Sequence, residues 1–102
     1  MSRARFAELI QRQLDLFERE QAELIADCEQ AIRAYDAADR EDAEERYGEY
    51  VDLVETGTDL LADLRDNFAQ TMDEEAAEEY EQAFNRAVAG RLPRFALEIE
   101  NS

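Results

Sequence analysis

Apolar residues in this chain fall on two seams of matching rhythm. Ile10, Leu14, Phe17, Gln21, Leu24, Cys28, Ala31 and Tyr35 are spaced 4-3-4-3-4-3-4, and Ala43, Tyr47, Tyr50, Val54, Gly57, Leu61, Leu64 and Phe68 repeat the spacing. Steps of three and four residues place side chains on one side of an α-helix. The pattern predicts a first helix over residues 3–35 and a second over 40–68. Folded back about Asp39, the seams pair layer by layer, each pair of residue numbers adding to 78. Large residues then meet small ones, Cys28 with Tyr50, Ala31 with Tyr47 and Tyr35 with Ala43, while Gln21 meets Gly57. A long antiparallel helical hairpin follows. No Gly or Pro marks the turn, but a helix continued past Asp36 would carry its seam onto Asp42, Glu45, Glu49 and Asp52. The apolar phase restarts at Ala43 instead, and Asp39 is the candidate N-cap.

Phe6, Ile25 and Ile32 widen the first stripe, and Val51, Leu53 and Leu60 the second, beyond what a two-stranded coil needs. A third element has to cover them. Thr71-Met-Asp-Glu74 has the spacing of a capping box, and Ala76, Ala77, Tyr80, Ala83, Phe84, Ala87 and Val88 follow as a buried face. Gly90 and Pro93 are expected to stop or bend this helix. Leu92, Phe95, Ala96 and Ile99 then fit a short helical continuation, while Phe95, Leu97 and Ile99 equally fit an extended strand; the helix formers favour the former. The resulting fold class is all-α: an up-down-up three-helix bundle built on the long hairpin, its third helix kinked near Gly90–Pro93, forming one domain over residues 1–102. Gly57 lies mid-helix, where glycine costs about 1 kcal/mol relative to alanine. Close approach of a neighbouring helix, expected at the level of Phe84, or room for Gln21 would account for it by packing, and a kink or a ligand slot beside Gln21 by function.

Charge modifies this picture. The chain carries 27 acidic residues against 11 arginines, no lysine and no histidine, for a net −16. The imbalance is uneven: −2 over residues 1–35, −9 over 36–69 and −5 over 70–102. Such a field repels nucleic acid and anionic lipid, so neither is an expected partner, whereas a basic protein surface would be attracted. The bland reading is a solvated face that keeps a small bundle soluble. The arginines near the C-terminus, Arg86, Arg91 and Arg94, are expected to pair with the acidic second helix.

Candidate chemistry is sparse. Without histidine, the commonest general base and metal ligand is missing. The acidic stretches lack the glycine of a calcium loop, Ser2 and Ser102 are the only serines, and there is no Gly-rich phosphate loop. The expectation is a protein that is not an enzyme and holds no cofactor or metal. Cys28, alone, reads as a small buried hydrophobe in a reducing compartment. No apolar run approaches the ~18 residues of a membrane span, and no signal peptide is legible, so the expected location is the cytoplasm. Tyr35, Tyr47, Tyr50 and Tyr80 are expected to turn their rings inward and their hydroxyls to the bundle edge.

These observations favour a non-catalytic protein–protein interaction module. The alternative is an acidic inhibitor or immunity-type protein that binds a basic target such as a nuclease, with Glu41, Asp42, Glu44, Glu45, Glu49 and Asp52 as the steering surface. The partner is another protein or a second copy of this chain. Phe6, Leu9, Leu53, Leu60 and Leu97 would supply a homodimer interface if the tail stays extended.

Overall fold

A computed structural model of the chain describes residues 5–97. It is all-helical, with α1 (Ala7–Glu20), α2 (Ala22–Ala37), α3 (Arg40–Ala69), α4 (Glu74–Arg91) and a 3₁₀ turn (Pro93–Phe95). Among the described residues no helix is long and apolar enough to cross a membrane. The molecule is elongated, 51 × 29 × 21 Å, because α3 alone spans about 45 Å at 1.5 Å per residue.

The chain does turn where the apolar phase restarts. Ala38 and Asp39 are extended (ψ 146° and 174°), and Asp39 occupies the N-cap position of α3. Its carbonyl accepts from the Asp42 N–H at 3.0 Å, but its side chain makes no capping bond. Across this turn α2 and α3 pack along one another. Tyr35 meets Tyr47 with ring centroids 5.2 Å apart, one helical turn from the expected Tyr35–Ala43 layer. Further along, Asp27 and Gln30 share a groove with Asp52 and Glu49.

The expected unbroken first helix is interrupted at Gln21, where ψ swings to 29° from the helical value of about −42°. The hydrogen-bond ladder bridges the break. Gln21 N–H donates to the Phe17 carbonyl at 2.8 Å, and Ile25 N–H donates to the Gln21 carbonyl at 3.0 Å. Residues 3 and 4 lie outside the described region, as does Ile99 of the expected tail.

The second chain reversal corrects a capping assignment. Asp73, not Thr71, opens α4: its carboxylate accepts from the Ala76 N–H at 2.8 Å. The Thr71 hydroxyl donates to the Phe68 carbonyl at 2.7 Å, closing the end of α3 instead. Gly90 does not stop α4 either. It lies inside the helix, without a positive φ, and α4 ends at Arg91, where Pro93 removes the next donor.

The core gathers Ile10, Leu14, Phe17, Cys28, Leu61, Ala69, Tyr80, Phe84, Val88 and Phe95. Tyr80 is wholly buried. Its ring packs against Phe6, Phe68 and Phe84 at centroid distances of 5.3–5.8 Å, and its hydroxyl donates to Gln13 Oε1 at 2.9 Å. This phenol is therefore turned inward and satisfied, not placed at the bundle edge, and burial pushes its pKa up to about 12. Asn85, the one buried polar side chain among the described residues, accepts from Arg65 at 2.8 Å.

Candidate functional site

Gly57 proves to be a packing seat. It is buried, and neither Gln21 nor Phe84 supplies its nearest neighbour. A Cβ built there would lie 2.7 and 2.8 Å from Cδ1 and Cζ of Phe95, with Cε1 closer still. Phe95, 2% exposed, comes from the 3₁₀ turn and also meets Phe17 edge-to-face, centroids 6.1 Å apart. The mid-hairpin layer that the sequence pattern leaves to Gln21 and Gly57 is filled from the far end of the chain. No ligand slot is needed to account for the glycine.

Two arginines hold this closing segment. Arg91 donates to Glu18 (2.9 and 3.1 Å), Asp15 (2.5 Å) and Gln11 (2.9 Å), three residues on one face of α1. The Glu18 and Asp15 carboxylates raise the guanidinium pKa further. Arg94 donates to the Tyr50 hydroxyl at 3.0 Å and lies over that ring, 5.6 Å from its centroid. The expectation that these arginines neutralise the second helix is corrected: Arg91 binds α1, and Arg94 binds a tyrosine of α3. Arg86 lines a small hollow with Ala7, Ile10, Gln11, Ala83 and Ala87. Cys28 is buried and forms no disulfide. Burial raises its pKa, and the positive charge of nearby Arg94 partly offsets the rise.

The six candidate acids, Glu41, Asp42, Glu44, Glu45, Glu49 and Asp52, are all exposed on the first half of α3. They run along its exposed side. Glu41, Glu45, Glu49 and Asp52 follow a 4-4-3 stripe, Asp42 sits beside it, and Glu44 lies on the other side, one turn from Tyr47. Glu49 and Asp52 line a shallow groove of about 540 Å³ with Asp27, Gln30 and Leu53. Among the described residues one arginine pairs with these six, Arg46, which reaches Glu49 at 3.2 Å. No group of three or more acidic or cysteine side chains there is arranged to hold a metal ion.

The tyrosines beside these acids correct the expectation of inward-turned rings, because Tyr47 is exposed. Tyr35, Tyr47 and Tyr50 stack in tilted succession, centroids 5.2 and 6.1 Å apart. Tyr47, 48% exposed, is the most exposed large apolar side chain among the described residues, ahead of Leu16 at 47% and Leu60 at 37%. The signal was present in the pairing of Ala31 with Tyr47. An alanine cannot cover a tyrosine unless a third element joins them.

Comparison with known protein families, curated proteins and solved structures returns no match to this chain.

Proposed function

We propose that this protein is a non-catalytic protein–protein interaction module. In this reading it is an up-down-up three-helix bundle. The interrupted helix α1–α2, then α3, then α4 bent into its 3₁₀ turn form the three members, and the acidic first half of α3 binds a basic surface on another protein. One observation carries the reading. Among the described residues, six exposed carboxylates meet a single arginine, while Arg91 and Arg94, which could have neutralised them, are bound to α1 and Tyr50. Unpaired surface charge of one sign steers encounter with an oppositely charged partner and falls in effect with salt.

The partner is another protein in preference to a second copy. The dimer argument required an extended tail, whereas Phe95 is docked, and of the five apolar residues expected at the interface Phe6, Leu9, Leu53 and Leu97 pack against the core, leaving Leu60 exposed. Two copies would also bring their acidic surfaces together. A single cysteine, buried and outside any disulfide, agrees with a cytoplasmic setting. The unneutralised carboxylates favour the inhibitor reading as well, in which the same six residues occupy the basic active site of a target such as a nuclease.

The test is affinity capture from the source cell at low salt. Wild-type protein is compared with a variant carrying Glu→Gln or Asp→Asn at 41, 42, 44, 45, 49 and 52. A partner recovered by the wild type should be lost by the variant, and an inhibitor would also silence that partner's activity. Equal recovery by both proteins would refute the reading.

A further inference from the structure

Two weak points stand side by side in the long hairpin. In its first arm the helix breaks at Gln21, where ψ is 29°. In its second arm α3 passes through Thr56, Gly57 and Thr58, a glycine between two β-branched residues, all poor helix formers. The Thr56 hydroxyl donates to the Asp52 carbonyl at 3.1 Å, a bond back to the preceding turn that favours bending. Both points lie at one level. Phe95 packs on Gly57 and also meets the ring of Phe17, which is one turn before Gln21.

Beyond that level the core thins. Between Gln21 and Gly57, Cys28 is the one buried residue among those described. The other buried side chains lie in α1, in α3 past Gly57, in α4 and in the 3₁₀ turn, which together form a base. Within it α1 is bound by Arg91, by the Tyr80–Gln13 hydrogen bond and by Phe17 on Phe95. The tip is held by a partly exposed apolar seam, by Tyr35 on Tyr47 and by Arg94 on Tyr50. Its charge opposes closure. Residues 22–56 carry twelve acids against Arg33, Arg40 and Arg46, and Asp27 of α2 shares a groove with Glu49 and Asp52 of α3. Like charges gathered across a helix pair repel, and salt screens them.

We propose that residues 22–56 open and close as one unit, hinged at Gln21 and Gly57, while the base stays folded, and that the charge of this tip sets the balance so that salt closes it. An element with few buried groups opens at a lower free energy than the whole molecule unfolds. The inference goes beyond the protein-binding reading and holds whatever the acids bind. Cys28 reports the motion, being the single thiol of the chain and fully buried in the closed tip.

Thiol labelling with an uncharged disulfide reagent, 4,4′-dithiodipyridine, tests it. The globally unfolded fraction under each condition comes from urea denaturation followed by circular dichroism. Cys28 should react about tenfold or more faster than that fraction allows, with a shallow dependence on urea because little surface opens. In the double variant Cys28→Ala, Val88→Cys the thiol sits in the base and should react no faster than the variant's own unfolded fraction allows. Raising NaCl from 10 mM to 1 M shortens the screening length from about 30 to about 3 Å and should slow Cys28 about fivefold. Screening of nearby carboxylates favours the thiolate and would by itself speed the reaction, so slowing reports closure. The pair Glu45→Gln, Asp52→Asn should slow labelling at low salt and flatten its salt dependence. Labelling of Cys28 that matches the unfolded fraction would overturn the separate tip. Excess labelling at both positions would overturn the folded base. Labelling of Cys28 unchanged or quickened by salt would overturn control by charge.

Discussion

Gly57 and Phe95 should be coupled strongly enough for one substitution to change sign with its background. In an otherwise unstrained helix, glycine to alanine stabilises by about 1 kcal/mol through backbone entropy. At position 57 the new methyl would meet the Phe95 ring at 2.7–2.8 Å and less, and the ring cannot retreat freely because it is buried and packed edge-to-face with Phe17. Overpacking of this kind costs about 1–3 kcal/mol. Gly57→Ala should therefore destabilise the wild type by up to about 2 kcal/mol net. Phe95→Ala removes a ring that is 2% exposed and should itself cost about 3–5 kcal/mol, less if the turn collapses into the void. With the ring gone, the three atoms nearest the new methyl are removed, and Gly57→Ala regains its helical advantage, stabilising by about 1 kcal/mol. The coupling energy is then about 1–3 kcal/mol, and Phe95→Leu provides an intermediate background should Phe95→Ala prove too unstable to melt cooperatively. Urea denaturation followed by helical circular dichroism yields all four corners of the cycle, with each kcal/mol also worth about 4–8 °C in Tm for a domain of this size. Effects of Gly57→Ala that agree within about 0.5 kcal/mol in the two backgrounds would refute the seat.

Two further outcomes follow from the same contacts. Tyr80, with its pKa raised from 10.0 to about 12, keeps its proton in the folded state at pH values where the unfolded chain releases it. Stability should thus be unaffected by this group below pH 10 and fall as pH rises from 10 toward 12. Ultraviolet titration should resolve a late phenol step that Tyr80→Phe removes, and that variant should lose about 1 kcal/mol near neutrality because Gln13 is left without its donor. Arg91→Lys should destabilise by about 1 kcal/mol or less, since the fork to Glu18, Asp15 and Gln11 is lost but the site is part-exposed. Denaturation in 1 M salt should shrink that difference, and a difference independent of salt would show packing of the arginine stem to be the larger contribution.

Helix spans were legible because helical periodicity is local. The second helix, expected over residues 40–68, is found at Arg40–Ala69, and the buried face expected for the third contains Tyr80, Phe84 and Val88. The turn at Ala38–Asp39 was equally readable without Gly or Pro, since an uninterrupted helix would have turned an acidic stripe inward. Capping was read less well. Thr71 and Asp73 both offer a side-chain oxygen at a helix start, and the preceding Phe68 carbonyl decides between them by engaging the threonine. The candidate acids were visible as composition, and their exposure along the first half of α3 follows from the phase of its apolar seam.

The sequence by itself determined the all-helical class, the phase of each helix, the place of the first turn and the anomaly at Gly57. Each follows from backbone geometry and apolar spacing within a few residues. Only the tertiary structure decided what fills the seat at Gly57, where the first helix breaks, which carboxylates take Arg91 and which tyrosine takes Arg94. Those outcomes depend on contacts between residues at opposite ends of the chain, where no periodicity connects the partners. A buried gap accepts whichever side chain the folded topology carries to it, and here that is Phe95.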